Sequence, residues 1–173
     1  MRKLRTVLRY VFILLMLGWV LSGCLKDKSI DYDEEEKKNI AQYLLNGNIT
    51  ISPTASGLYY IEEEEGTGIQ PVEGDTCMVN YIAQTIYGRV FETNIEDIAY
   101  QYGIYYYNFS YTPVEIALGA ENIMEGWSEG LSYMKEGGKA TIIIPYKLTF
   151  EGNYEPLVYY LELLEVIQKI SDK

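Results

Sequence analysis

The side chains that could do chemistry in this chain are carboxylates and aromatic rings, because its 173 residues include no histidine and only two cysteines. Without imidazole there is no Ser-His-Asp triad, no general base of that kind and none of the commonest metal ligand. Cys24 closes the run Leu21-Ser22-Gly23 near the start, and Cys77 alternates with Val79 and Tyr81 in the pattern of a small core residue on a strand. Neither reads as a nucleophile. No cofactor and no metal are expected. The supply of rings is large, with 18 Tyr, 4 Phe and 2 Trp.

The elements that must position those rings centre on Gly126 to Pro145, GWSEGLSYMKEGGKATIIIP. Trp127, Leu131 and Met134 fall at helical spacing on one face, while Ser128, Glu129, Lys135 and Glu136 lie off it. Gly137 and Gly138 are expected to end this helix, and the β-branched run from Lys139 to Ile144 follows as a buried strand. Upstream, strands are expected at Leu58 to Glu65, Thr76 to Ile86, Val90-Phe91 and Pro113 to Leu118. Order and spacing suit an α+β domain, a curved antiparallel sheet of about five or six strands wrapped around one short helix.

Three blocks in register resemble the FKBP-type peptidyl-prolyl cis-trans isomerases over about residues 53 to 168. They are Gly74-Asp75-Thr76 through Val90-Phe91, Leu118-Gly119 through Ile144-Pro145, and Leu157-Val158-Tyr159 through Glu162-Leu163-Leu164. The resemblance implies a pocket lined by Tyr81, Phe91, Val114, Ile123, Met124, Trp127, Phe150 and Tyr159. Trp127 would lie under a substrate proline, and the Met124 N–H would hold a substrate carbonyl. Glu92 stands where the family usually has Asp, Phe150 where it has a Tyr, and Val114 where it has a Phe; the loop from Glu151 to Pro156 is shorter than the family's flap. The partners implied are proline-containing polypeptides.

The first residues set an expected address. Arg2, Lys3, Arg5 and Arg9 precede an apolar run from Val11 to Val20, too short to span a bilayer, and Leu21-Ser22-Gly23-Cys24 resembles a bacterial lipobox. Residues 1–23 are therefore expected to be a lipoprotein signal, 24–52 a lipidated cysteine with an acidic tether and short helix, and 53–170 the isomerase domain. Within the segment before the domain, Asp31 or Asp33 would cap the helix and Gly47 would close it. Losing four of the 14 Lys+Arg with the signal leaves 10 against 25 Asp+Glu, a formal charge of −15. Such a chain repels nucleic acid and anionic head groups. Membrane attachment then falls to lipid on Cys24, in the cell envelope, with the outer membrane as the expected site.

Between Thr93 and Thr112 the chain departs from the family with a longer loop carrying Tyr100, Tyr102, Tyr105, Tyr106, Tyr107, Phe109 and Tyr111. Such rings offer amphipathic contact area at low entropic cost. Two uses stay open: a recognition surface, or rings packed on their own domain. Two functions follow, an isomerase or a non-catalytic binding module that holds a partner through this insertion at about 94–112.

Overall fold

In a computed structural model describing residues 31–170, six strands form one antiparallel sheet. They are β1 (Tyr59–Glu64), β2 (Thr76–Thr85), β3 (Val90–Thr93), β4 (Val114–Ala117), β5 (Lys139–Ile144) and β6 (Leu157–Ile167). The helices are α1 (Tyr32–Asn46), α2 (Glu96–Gln101) and α3 (Glu125–Tyr133). Strand order is β1-β5-β6-β2-β3, and β4 shares the free side of β2 with β3. β6 pairs with β2 over its whole length, from Thr76 opposite Ile167 to Thr85 opposite Leu157. On the other side β4 takes Thr76 to Val79 and β3 takes Ile82 to Gln84.

Alternation on the strands sorts side chains into two cores. Cys77, Val79, Tyr81 and Ala83 of β2 face inward with Ala140, Ile142 and Ile144 of β5, and Trp127 and Leu131 of α3 pack on them. Gly126 and Gly130 make that approach possible. A Cβ on Gly126 would collide with Ile144, and one on Gly130 would lie 3.0 Å from the Ile142 Cγ2. Cys77 is fully buried and free, its thiol pushed up to about 11 by burial and then by Asp75, so it is an inert core residue.

The helix does not run to the glycines. It stops at Tyr133, Met134 is already extended, and Gly137 at φ +82° makes the turn into β5. Met134 still reaches the core, only 2% exposed, so the apolar stripe outlasts the helix that it suggested.

The sheet also has a covered outer face. Ile40 of α1 packs with Ile86, Ile143 and Val158, flanked by Tyr43, Leu44, Tyr59 and Ile61. This explains the unbroken apolar run Ile142-Ile143-Ile144, whose members are buried on alternate sides. Asp31 caps α1 by accepting the Glu34 N–H at 3.3 Å, and Gly47 closes it. The acidic first turn of that helix, expected to be a solvated face, is partly engaged with the domain, where Glu36 and Asp33 meet Tyr146. Residues 1–30, with the expected signal and Cys24, lie outside the described residues. None of the described helices is long and apolar enough to cross a membrane.

Candidate active site

Three rings from three elements meet at the mouth of the inner core. Tyr81 comes from β2, Trp127 from the first turn of α3 and Tyr159 from β6. Trp127 stands edge-on to both tyrosines, with ring centroids 5.4 Å from Tyr81 and 5.2 Å from Tyr159. The tyrosines themselves lie 6.2 Å apart. Edge-to-face packing of this kind fixes ring orientation beyond simple burial. Above the rings opens a cavity of about 200 Å³, lined by Tyr81, Glu92, Val114, Ile116, Ile123, Met124, Trp127, Phe150 and Tyr159.

The structure therefore brings together Tyr81, Glu92, Val114, Ile123, Met124, Trp127, Phe150 and Tyr159 from β2, β3, β4, the α3 entry, the segment after β5 and β6. Phe91, expected on the same wall, is not among the lining residues. The β2–β3 register shifts at this point, with Glu92 opposite Ala83 and Val90 opposite Gln84, and Phe91 between them packs half-buried against the core cluster that holds Tyr81 and Trp127. Ile116 is an addition. It sits two residues after Val114 on β4, so strand alternation alone could have found it.

One polar arrangement is built into the wall. The Tyr81 hydroxyl donates to the Glu92 Oε1 at 2.8 Å. Burial, then that hydrogen bond and the carboxylate charge, push the Tyr81 phenol well above its ordinary range, so it stays protonated and donating. Burial and the Glu92 charge do the same to Tyr159, while the Trp127 N–H offsets a part. That N–H falls short of hydrogen-bond geometry and is a buried donor without a partner among the described residues. At the α3 entry, the Met124 N–H likewise donates to no backbone acceptor among the described residues. Phe150 closes the rim and is 58% exposed.

Behind this wall lies a residue that sequence reasoning missed. β3 and β4 diverge between Val79 and Ile82, leaving the β2 backbone short of ladder partners. Asn94, 2% exposed, fills the gap. Its Oδ1 accepts the Tyr81 N–H at 2.8 Å, and its Nδ2 donates to the Val79 and Thr112 carbonyls at 2.9 and 3.0 Å. Thr93 adds a hydroxyl donated to the Tyr81 carbonyl at 2.6 Å. The backbone of Tyr81 is thereby pinned from both its polar groups.

A curled antiparallel sheet on a short helix, with an indole-floored apolar hollow where strands and helix entry meet, defines an α+β protein of the FKBP fold. The sequence agrees: the profile of the FKBP-type peptidyl-prolyl cis-trans isomerases matches residues 67–164. The chain belongs to that family. It is 31% identical over 124 residues to the FKBP-type peptidyl-prolyl cis-trans isomerase FkpA of Escherichia coli K12, covering 67% of this chain and 40% of that protein. A probable FkpA of Neisseria meningitidis serogroup B is 33% identical over the same length, with the same coverage. The chain thus spans 40% of the length of these relatives. Among solved structures, the crystal structure of FkpA from Escherichia coli matches with a TM-score of 0.56 and 25% identity, over 90% of this chain and 71% of that one. An isomerase from Pseudomonas syringae shares the fold at a TM-score of 0.58, with 20% identity over 82% of this chain and 99% of that one.

Proposed function

We propose that this chain is a peptidyl-prolyl cis-trans isomerase that assists the folding of proline-containing polypeptides in the cell envelope, held to a membrane through lipid on Cys24. The observation that carries the reading is the ring-floored cavity, in a chain whose family is defined by that reaction. Rotating an X-Pro amide meets a barrier of roughly 18–20 kcal/mol, with no bond broken and no proton obliged to move. The twisted amide has lost resonance and part of its charge separation. A dry, apolar hollow therefore favours it over the planar ground state.

In this reading Trp127 supports the proline ring and the Met124 N–H takes the substrate carbonyl. Glu92, held by Tyr81, stands by the rotating amide as the polar member of the wall. Phe150 offers a ring without the hydroxyl that the family's tyrosine would supply. One absent hydrogen bond costs about 0.5–1.5 kcal/mol, a two- to tenfold loss in rate that leaves the enzyme active.

The test is the cis-to-trans relaxation of a short X-Pro peptide. Acceleration by the chain, lost by about tenfold or more in Trp127→Ala and partly restored in Trp127→Phe, supports isomerase action. No acceleration at micromolar protein overturns it. That outcome would favour a non-catalytic module gripping a partner through the 94–112 insertion, a reading supported by the exposed rings of that segment. The address has its own check: incorporation of labelled lipid, abolished in Cys24→Ser.

A further inference from the structure

Between Arg89 and Lys135 the sequence contains no Lys or Arg, and that stretch supplies most of the cavity and all of the aromatic insertion. Several of its carboxylates lie close in sequence to residues that line the cavity. Glu92 lines the cavity, Glu125 adjoins Met124, and Glu121 lies two residues before Ile123. Glu96 and Asp97 open α2, at the start of the insertion. All five are exposed, and none joins an ion pair among the described residues. The described salt bridges lie elsewhere: Lys37 with Glu34, Lys135 with Glu65, Lys139 with Glu64 and Glu162, and Lys147 with Asp33.

The insertion adds faces to these charges. Tyr105 stacks on Tyr100 at 4.0 Å and 13° and on Tyr111 at 5.3 Å and 12°, with Phe109 edge-on to Tyr111. The Tyr111 hydroxyl accepts the Tyr106 N–H at 2.9 Å, tying the loop to itself. Its outer rings stay in water: Tyr106 is 71% and Tyr107 89% exposed. Aromatic faces beside uncompensated carboxylates attract ammonium and guanidinium groups twice over, by charge and by the ring quadrupole.

Resting on the isomerase reading, we infer that this enzyme selects proline-containing segments rich in Lys or Arg, the proline entering the apolar cavity while flanking cations meet the carboxylate rim and the insertion's rings. A second copy of this chain or an anionic lipid surface would be repelled by the same charges. The selectivity resides in capture and belongs in KM and in the on-rate. It weakens as salt screens the rim.

The experiment compares three X-Pro peptides identical except for Lys, Gln or Glu on both sides of the X-Pro pair, turned over by the whole chain at low and high salt. The Lys peptide is expected to exceed the Glu peptide in kcat/KM by about five- to tenfold at low salt, through KM, with the ratio collapsing at high salt. In a variant carrying Glu96→Gln, Asp97→Asn, Glu121→Gln and Glu125→Gln, the Lys-to-Glu ratio is expected to fall toward one. Equal turnover of all three peptides, or a ratio indifferent to salt and to the four substitutions, overturns the inference while leaving isomerase action standing. If no peptide is accelerated, isomerase action fails instead. Fluorescence titration with the Lys and Glu peptides then decides the matter: tighter binding of the Lys peptide sustains the cationic surface, and equal binding removes it.

Discussion

The segment from Pro145 to Pro156, which lends Phe150 to the cavity, and the insertion from Asn94 to Thr112, which links the lining residues Glu92 and Val114 in sequence, are held by different forces. The first is fastened to α1, more than a hundred residues away in sequence. Glu36 accepts the Tyr146 N–H at 2.5 Å, and Asp33 accepts from the Tyr146 hydroxyl at 2.7 Å and from the Lys147 Nζ at 2.8 Å. Tyr32 stacks on Tyr154 at 4.9 Å. The insertion, by contrast, is held at its root by Asn94 and beyond it by its own stacked rings, with Ala99 buried. The difference separates two ways of shaping a site. A segment bound to a remote element takes its position from the whole fold, whereas a segment bound to itself is free to carry recognition without supporting the fold.

That comparison is most exposed to failure at the insertion's root. Asn94→Ala would leave the Tyr81 N–H and the Val79 carbonyl buried without partners. Urea unfolding is expected to show a loss of about 3–4 kcal/mol, the largest effect considered. The Tyr81 ring should lose its fixed placement as well, so peptide isomerisation should slow. A loss below about 1 kcal/mol would mean that the gap in the β2 ladder is repaired by water, and that the insertion is loose even where it begins. Next in size is Ile40→Ala. It removes the only buried residue of α1, at 4% exposure, and is expected to cost about 2–3 kcal/mol. If α1 then detaches, proteolysis should begin near Gly152 while the insertion stays as resistant as before.

Much of this was legible in the sequence where one periodicity decides one partner. Cys77, Val79, Tyr81 and Ala83 alternate, and they all face the inner core. Trp127, Leu131 and Met134 share a stripe and all are buried, although the chain leaves the helix before Met134. The cavity was legible because the family resemblance gave each position a neighbour in register. Phe91 shows the limit: it falls at a register shift in β3 and packs on the core beside the lining residues, a local detail that the resemblance did not carry. The α1 contacts were illegible for another reason. Asp33 and Glu36 read as members of a charge run, and nothing local reveals that their partners lie at Tyr146 and Lys147. Asn94 was hidden likewise, since it serves a gap created by two other strands.

Acid titration sharpens the contrast on the fastened side, because its two carboxylates respond to pH in opposite senses. Burial raises Glu36 above its ordinary 4.5, against the Tyr146 N–H. The hydrogen bonds from Lys147 and then Tyr146 hold Asp33 below its ordinary 3.8. A raised carboxyl binds its proton more tightly in the folded state, so the stability that Glu36 adds is present below 4.5 and is lost as pH rises through its folded value. A depressed one does the reverse: what Asp33 adds is present above 3.8 and is lost as pH falls through its folded value. Urea midpoints over a pH series should therefore show Glu36→Gln removing a gain in stability as pH falls toward 4.5. Asp33→Asn should remove a loss below 3.8. Parallel curves for both variants and wild type would mean that the contacts with Tyr146 and Lys147 do not persist in solution.

The smallest effect on folding belongs to the insertion's outer rings. Tyr107 exposes most of its surface and stacks on none of the neighbouring rings, so Tyr107→Ser is expected to move stability by no more than about 0.5 kcal/mol. The same substitution removes a face on which a cation can rest. It is therefore expected to lower the Lys-to-Glu peptide ratio in kcat/KM by about two- to threefold while the unfolding midpoint stays in place. A change in stability comparable to that of Ile40→Ala would show that the insertion supports the fold after all, and the separation between a fastened wall and a self-contained one would collapse. A ratio unmoved by the loss of Tyr107 would leave the wall self-contained and assign the selection to the carboxylates alone.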